Sequence, residues 1–189
     1  MVDMDEVITY GGFLHLINAY LGSNYTLEDI NGYYMQDLVP DKDEFFKFFL
    51  KHNQYDYGYL LPGVQEVLKE LQETYDIYIA TAYLIPEIIS KNGKLLEQKY
   101  NYLYENLPFI HPDKYIFINN KELLNCDIKI DDKLDNLKNA SVKLLFDSYH
   151  NKDYSDEYLK SMGVIRVHSW YDIKNVLKEL ENESSSTKK

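Results

Sequence analysis

Val2-Asp3-Met4-Asp5-Glu6-Val7-Ile8 is the stretch that decides the fold, because a second acidic pair, Asp131-Asp132, follows another short apolar run, Ile128-Lys129-Ile130. If the two runs are neighbouring strands, the four carboxylates converge on one point. Such a cluster repels itself unless a cation lies in it, and oxygen ligands alone suit Mg²⁺ better than zinc or copper. The sequence therefore predicts a site for a hard cation.

The spacing of the first acidic pair carries further information. Residues i and i+2 of an extended strand point to the same face, so Asp3 and Asp5 can address one substrate. Chance is the competing explanation, because among seventeen aspartates roughly one or two Asp-x-Asp triplets are expected, and Asp41-Lys42-Asp43 is such a triplet in a polar stretch. Taken alone, the first triplet is explained equally well as a solvated chain terminus.

Composition narrows the classes of protein and of partner. A length of 189 residues fits one domain with an insertion, or one core with a small cap, and a hydrophobic content of 45% is ample for a core. A net charge of -11 argues against a nucleic-acid polymer as partner, since phosphate backbones require a basic face. A small anion held by a metal ion is still allowed.

The single cysteine and the apolar runs predict a cytoplasmic protein with no membrane partner. Cys126 excludes an internal disulfide and a CxxC type of zinc site, which fits a reducing compartment. The amino-terminal residues lack the basic and apolar regions of a signal peptide. No run reaches the ~18 apolar residues of a membrane span.

Apolar periodicity alternates between helices and strands along the chain. Such alternation predicts parallel crossovers and an α/β fold with a doubly wound parallel sheet, in which ligands bind at the carboxyl ends of the strands. Asp3, Thr81, Lys121 and Asp131 all fall at or just beyond such ends. We predict strands at 76–81, 115–118, 128–130, 142–146 and 164–167, and helices at 13–21, from Thr26, at 43–50, 62–71, 86–107 with a break at Gly93, and 171–180.

The four strand-end positions, taken in order, resemble the motifs of the haloacid dehalogenase (HAD) superfamily of phosphotransferases. Within it, the chain is most similar to the 5'(3')-deoxyribonucleotidases, over nearly its whole length from Val2 to about Leu180. The ten residues between Lys121 and Asp131 also suit that family. The segments that carry the resemblance are residues 3–7, 11–14, 27–29, 61–63, 79–81 and 130–132.

The resemblance implies a role for each acidic residue. Asp3 is expected to be the nucleophile that forms an aspartyl-phosphate, and Asp5 the general acid and base. Mg²⁺ is expected to bind to Asp3, to the backbone carbonyl of Asp5 and to Asp131. Asp132 is expected either to orient these ligands without binding the ion itself or to be a weaker ligand.

Thr81, Ala82 and Lys121 are the expected phosphate-binding residues. A threonine hydroxyl with adjacent backbone N–H groups suits phosphoryl oxygens, and a lysine neutralises them as a point charge. Thr81 can also be an ordinary β-branched strand residue, and Lys121 a solvated surface lysine. Ala82 stands where some relatives have a serine.

Substrate specificity is expected from the segment between the first motif and Pro62. We predict a HAD-like core at 1–10 and 62–182, a small helical cap at 11–61, inserted after the first strand, and a disordered polar tail at 183–189. By resemblance, Tyr33, Tyr34 and Met35 lie against the nucleobase, since an aromatic ring can stack on any base. They can equally pack the cap's own core.

The resulting hypothesis is a Mg²⁺-dependent 5'(3')-deoxyribonucleotidase whose partner is a nucleoside monophosphate. A HAD phosphatase of another small phosphomonoester and a non-catalytic nucleotide-binding protein are the alternatives, and a homodimer stays open. Two features are unexpected: only Met1 and Val2 precede the nucleophile, and Lys129 lies in a strand that should be buried on both faces.

Overall fold

The computed structural model describes residues 1–186, with side chains through Glu183. The strands are β1 (Thr9–Tyr10), β2 (Tyr59–Leu60), β3 (Ile79–Thr81), β4 (Tyr115–Phe117), β5 (Cys126–Asp131), β6 (Ala140–Phe146) and β7 (Val164–Val167). The α-helices are α1 (Gly12–Leu21), α2 (Lys42–Phe49), α3 (Val64–Leu71), α4 (Asn92–Asn106), α5 (Asp156–Ser161) and α6 (Trp170–Ser186).

The amino-terminal residues complete a parallel sheet. Strands β3 and β4 pair in parallel, as do β5, β6 and β7, and Val2 forms parallel bridges to both Ile79 and Ile130. The amide of Val2 donates to the carbonyl of Tyr78 at 2.8 Å, and the amide of Asp3 donates to the carbonyl of Ile130 at 2.9 Å. The spatial order is therefore β4, β3, residues 1–3, β5, β6 and β7. Two residues suffice as the first strand because ordered neighbours hold both of their edges.

A continuous apolar core joins the sheet to its helices. It includes Val2 and Ile79 from the sheet, Leu68 from α3, and Trp170 from the start of α6. Trp170 is fully buried, and its indole N–H donates to the carbonyl of Val7 at 2.8 Å. The start of α6 is thus anchored next to the first acidic triplet, although the two lie at opposite ends of the chain.

The segment at 11–61 is mainly helical and is joined to the sheet through a two-stranded stem. Strands β1 and β2 pair antiparallel, with Thr9 opposite Leu60. An aromatic cluster between α1 and α2 forms the interior, with ring centroids of Phe13 and Phe45 5.8 Å apart. Close approach at the stem requires Gly12, because a Cβ there would lie 2.1 Å from the carbonyl oxygen of Gln54.

The helix predicted from Thr26 is wrong in extent. The capping interactions form, since the Thr26 hydroxyl accepts from the amide of Glu28 and Asp29 accepts from the amide of Thr26. However, only a 3₁₀ turn at Leu27–Asp29 follows, none of whose residues is buried. A short helix without a buried face gains too little from packing to extend.

Other boundaries also differ from the prediction. The stretch 86–107 divides into a 3₁₀ segment, Pro86–Lys91, with non-helical dihedrals at Ile88, and α4, so the break precedes Gly93. Helix α5 was not predicted. Helix α6 continues to Ser186, so residues 183–186 are helical where a polar tail was predicted. The rest of that tail, 187–189, lies outside the described residues. In the described chain, no helix is long and apolar enough to cross a membrane.

Candidate active site

The predicted strand-end residues lie together at the carboxyl edge of the sheet. Asp3 follows the Val2 bridge, Thr81 ends β3 and Asp131 ends β5. Lys121 begins a 3₁₀ turn that follows β4. Since the strands are parallel, their carboxyl ends meet at one edge, and side chains far apart in sequence converge there.

Lys121 joins two of the buried carboxylates. Its ammonium lies 2.5 Å from Oδ1 of Asp3 and donates to Oδ2 of Asp131 at 2.8 Å. Burial opposes the charge of Lys121, but the two carboxylates overcome it and raise the pKa of the lysine. Burial also raises the pKa of Asp3 well above its usual value, against the pull of Lys121 and with further repulsion from Asp131. Lys121 is therefore part of the site and not a solvated surface lysine.

Asp131 and Asp132 differ in their surroundings. Asp131 is fully buried, and its Oδ1 accepts from the backbone amide of Lys133 and the side chain of Asn136, each at 2.9 Å. Its Oδ2 is the atom held by Lys121. Asp132 lines the open cleft, and its Oδ2 lies 2.7 Å from Nε2 of His150. Asp131 is thus engaged by three protein donors, whereas Asp132 faces the space where a ligand would lie.

The donor set fits a hard cation. Asp3, Asp131 and Asp132 each offer a carboxylate oxygen, these oxygens lie within 4.8 Å of one another, and all three residues are buried. Three buried carboxylates near one lysine leave net negative charge, which a divalent cation would neutralise. Oxygen-only ligands suit Mg²⁺ or Ca²⁺ and disfavour softer metals.

Asp5 is held by two donors that the sequence analysis did not identify. The hydroxyl of Tyr55 donates to Oδ1 of Asp5 at 2.9 Å, and the ammonium of Lys99 contacts Oδ2. Lys99 also donates to Oγ1 of Thr81 at 2.8 Å. One signal could have found Lys99: it lies on the same buried helical face as Leu95 and Leu103, where an unpaired lysine would be costly.

The loop after Thr81 is held by an amide side chain. Thr81 is buried, and its hydroxyl, which accepts from Lys99, donates to the carbonyl of Ala82 at a long 3.3 Å. Oδ1 of Asn119 accepts from the amides of Tyr83 and Leu84, at 3.1 and 2.9 Å. Ala82 lines the cleft beside them. The turn that follows the predicted phosphate-binding threonine therefore has a defined conformation.

Lys129, which was unexplained in the sequence, holds two loops. It is fully buried, and its ammonium donates to the backbone carbonyls of Lys121 and Lys138, at 2.9 and 2.5 Å. Burial lowers the pKa of Lys129. Because one of these carbonyls belongs to Lys121, Lys129 anchors the backbone from which Lys121 reaches the carboxylates.

A cleft of about 640 Å³ lies between the carboxylates and the segment at 11–61. Tyr33 and Tyr34 line it and expose 43% and 55% of their surface, so both rings are accessible from the cleft. Met35 also lines the cleft but is only 6% exposed and packs in the apolar core. Met35 therefore packs the core next to the cleft, and its contact with a nucleobase stays a prediction.

The loop after β6 connects Tyr33 to the acidic cluster. The hydroxyl of Tyr149 donates to the carbonyl of Tyr33 at 2.7 Å. The rings of Tyr33 and His150 meet edge to face, with centroids 4.8 Å apart, and His150 contacts Asp132. The wall of the cleft and the acidic cluster are thus in contact through adjacent residues of one loop.

Comparison with known proteins finds relatives that match nearly the whole chain. The sequence profile of the family described as "5' nucleotidase, deoxy (Pyrimidine), cytosolic type C protein" matches residues 1–181. A provisionally named 5'(3')-deoxyribonucleotidase from Staphylococcus epidermidis (strain ATCC 35984) is 30% identical over 185 residues, which cover 95% of this chain and 96% of that protein. The 5'(3')-deoxyribonucleotidase of Bacillus subtilis (strain 168) is 26% identical over 179 residues, or 93% and 96% of the two chains.

A solved structure shares the fold. A HAD family hydrolase from Deinococcus radiodurans, crystallised with bound phosphate and sodium, aligns over 94% of this chain and 93% of that one. The TM-score is 0.51 at 13% identity, so the likeness concerns the fold alone, and it confirms the predicted HAD-like α/β architecture. The match along residues 1–181 and the 30% identity to the Staphylococcus epidermidis protein establish that the chain belongs to the 5' nucleotidase, deoxy (pyrimidine), cytosolic type C protein family and is a phosphoric monoester hydrolase.

Proposed function

We propose that this enzyme is a Mg²⁺-dependent 5'(3')-deoxyribonucleotidase. One observation carries the proposal: Asp3, Asp5 and Lys121 line a cleft whose wall presents Tyr33 and Tyr34, and Lys99 holds Thr81 beside Asp5. A phosphate on the floor would place an attached nucleoside near those rings, which can stack on a base. The names of the relatives support the same substrate class.

The proposed reaction begins with attack by a carboxylate oxygen of Asp3 on phosphorus. The P–O bond to the nucleoside breaks, and Asp5 gives its proton to the departing ester oxygen. Lys121 neutralises charge on Asp3 and on the phosphoryl group. Asp5 then takes a proton from the water that attacks the aspartyl-phosphate, which frees Asp3 and releases phosphate.

Mg²⁺ would hold the phosphoryl oxygens in line and offset their charge when bound. We propose that Asp3, Asp132 and the backbone carbonyl of Asp5 hold it. Asp131 would order the cluster through Lys121 and Asn136, because its oxygens already accept from these two side chains and from the amide of Lys133. The geometry therefore favours exchanging the roles expected for Asp131 and Asp132 from the sequence.

The segment at 11–61 is proposed to act as a cap that excludes water and selects the nucleoside. Its helices and its wall residues Tyr33 and Tyr34 support this role. A cytoplasmic location is also proposed, supported by the free thiol of Cys126. A homodimer stays a prediction.

The test is a phosphate-release screen over nucleoside monophosphates and sugar phosphates, with added Mg²⁺ and with EDTA. We expect Mg²⁺-dependent hydrolysis of deoxyribonucleotides, and we expect Asp3→Asn to lower kcat by at least about 10⁴-fold, since the variant lacks the nucleophile. Asp43→Asn, at an exposed residue of the second Asp-x-Asp triplet, is the matched control and should retain wild-type activity.

The outcomes separate the competing hypotheses. Preference for sugar phosphates would indicate a phosphatase of another small phosphomonoester. Unchanged turnover in Asp3→Asn would contradict the assignment of the nucleophile. Full activity in EDTA, after exhaustive dialysis, would contradict the role of Mg²⁺.

A further inference from the structure

A second buried lysine, Lys99, enters the site from helix α4. The residue is 2% exposed, and its ammonium contacts Asp5 and Thr81. The two lysines contact different residues of the site, since the partners of Lys121 are Asp3 and Asp131. The contacts of each lysine are therefore with a different carboxylate of the first acidic triplet, Asp5 for Lys99 and Asp3 for Lys121.

Packing does not account for Lys99. A buried ammonium is costly unless it is paired and hydrogen-bonded, and an apolar side chain would fill the same helical position at lower cost. Leu95 and Leu103, one turn away on either side, are buried and apolar. The lysine therefore serves the groups that its ammonium contacts.

The contacts of Lys99 restrict both partners. A lysine ammonium only donates, so the oxygen of Thr81 must accept from it, and the hydroxyl hydrogen of Thr81 must point elsewhere. Its acceptor within the protein is the carbonyl of Ala82, at a long 3.3 Å. That hydrogen is thus directed toward the backbone of Ala82, which lines the cleft.

Asp5 is restricted in the same way. Its side chain is 44% exposed, so it would be free to rotate without partners. Tyr55 donates to one carboxylate oxygen and Lys99 contacts the other, which fixes the plane of the carboxyl group. A general acid transfers its proton efficiently only when it is held within hydrogen-bond reach of the leaving oxygen.

We propose that Lys99 is a positioning residue that holds Asp5 toward the leaving-group oxygen and turns the Thr81 hydroxyl toward the backbone of Ala82. The inference rests on the proposed function, since it concerns the step in which Asp5 protonates the leaving group. In this proposal the ammonium of Lys99 positions Asp5, the general acid and base, whereas the ammonium of Lys121 neutralises Asp3, the nucleophile.

The leaving group provides the test. A nucleoside alkoxide must be protonated as it departs, whereas 4-nitrophenolate departs without a proton. The value of kcat/KM reports the steps through departure of the leaving group and excludes the later hydrolysis of the aspartyl-phosphate, where Asp5 acts on both substrates alike. Comparing kcat/KM for a deoxynucleoside 5'-monophosphate and for 4-nitrophenyl phosphate therefore isolates the positioning of the acid.

For Lys99→Met, we expect kcat/KM to fall about 100-fold for the nucleotide and less than about 10-fold for 4-nitrophenyl phosphate. Lys121→Met should lower kcat/KM for both substrates by similar factors. Lys94→Met is the matched control: Lys94 is an exposed lysine of the same helix that contacts the carbonyl of Leu50, and its variant should retain both activities.

Equal losses on the two substrates, or no loss, in a folded Lys99→Met variant would overturn the inference. If that variant lacks the wild-type circular dichroism spectrum, Tyr55→Phe gives the same comparison, because it removes the donor to the other oxygen of Asp5. A uniform effect of Tyr55→Phe would also overturn the inference. Hydrolysis by wild type that depends on Asp3 separates failure of this inference from failure of the proposed function.

Discussion

At the scale of single residues, the site contains an acidic side chain in an unusual backbone conformation. Glu6 has φ 61°, in the left-handed region that costs a residue with a Cβ about 1 kcal/mol. Its side chain lines the cleft near Asp5 and Asp132. Burial, with repulsion from Asp132 and Asp5, raises the pKa of Glu6 to about 8. The protonated form of Glu6 is therefore favoured in the folded protein.

This pKa predicts that the difference in the free energy of unfolding between wild type and Glu6→Gln depends on pH. The folded-state pKa is raised, so the contribution of Glu6 to stability is complete below its unfolded value near 4.5 and is lost as pH rises to about 8. Glutamine keeps the backbone strain and cannot ionise. We expect the free energy of unfolding of the variant, relative to wild type, to increase by about 2 kcal/mol between pH 5 and 8, an amount reduced by partial solvent screening.

Urea denaturation in EDTA across that pH range measures the effect without a bound cation. Glu28→Gln, at an exposed site, is the control and should show no such trend. A difference that stays constant with pH would contradict the raised pKa.

At the scale of elements, the loops after β4 and β5 are joined by hydrogen bonds from one residue of β5, Lys129. Lys129 in β5 donates to the carbonyls of Lys121 and Lys138, and Lys138 contacts Glu122 at 3.0 Å. The side chain of Asn139 adds a further bond to the carbonyl of Glu122. The position of Lys121 thus depends on interactions between loops as well as on its own strand.

Lys129→Met should therefore weaken both the fold and the site. The variant leaves the buried carbonyl of Lys121 and the partly buried carbonyl of Lys138 without their donor, which costs about 1–3 kcal/mol for the buried one and is partly offset by relief of the buried charge. We expect a net loss of about 2 kcal/mol in the free energy of unfolding, and a fall in kcat of about 10-fold at temperatures where the variant is folded. Chemical denaturation and steady-state kinetics measure the two effects.

Lys143→Met is the control for that prediction, since Lys143 lies opposite Lys129 in the register of β5 and β6 and is only partly buried. It should change stability by less than about 0.5 kcal/mol. If Lys129→Met is destabilised but keeps full kcat when folded, Lys129 does not position Lys121.

At the scale of the whole molecule, the cleft lies between the parallel sheet and the segment inserted at 11–61. The stem of β1 and β2 joins the two parts, and the bond from Tyr149 to the carbonyl of Tyr33 joins them again on the other side of the cleft. The proposed function therefore assigns the chemistry to the sheet edge and the selection of substrate to the inserted segment, two surfaces that line one cleft.

Tyr34→Ala tests that separation. The ring is exposed in the cleft, so its removal should raise KM for nucleotides about 10-fold, in line with the ~1–3 kcal/mol of base stacking, and should leave hydrolysis of a small aryl phosphate nearly unchanged. Tyr104→Ala, at a similarly exposed tyrosine on α4, is the control and should leave both KM values unchanged. Equal losses on both substrates would indicate a structural role for Tyr34.

The sequence by itself determined the parallel α/β fold and most of the functional candidates at the carboxyl edge of the sheet. Apolar periodicity identifies strands and helices, and parallel strands bring their carboxyl ends to one edge, so Asp3, Thr81, Lys121 and Asp131 could be placed together before any contact was known. The spacing within each motif is local information, and it is preserved in the fold. Helix limits were less predictable, as the single 3₁₀ turn after Thr26 shows, because they depend on burial against distant residues.

Only the tertiary structure decided how these residues are supported. Lys99, Tyr55 and Lys129 reach their partners from other elements, and a lysine or tyrosine in a helix, turn or strand carries no local signal of the group it will contact. The same holds for the difference between Asp131 and Asp132, which are adjacent in sequence but point to different surroundings. Hydrogen-bond partners and burial are properties of the packed chain, so residues that act through long-range contacts become visible only when the chain is folded.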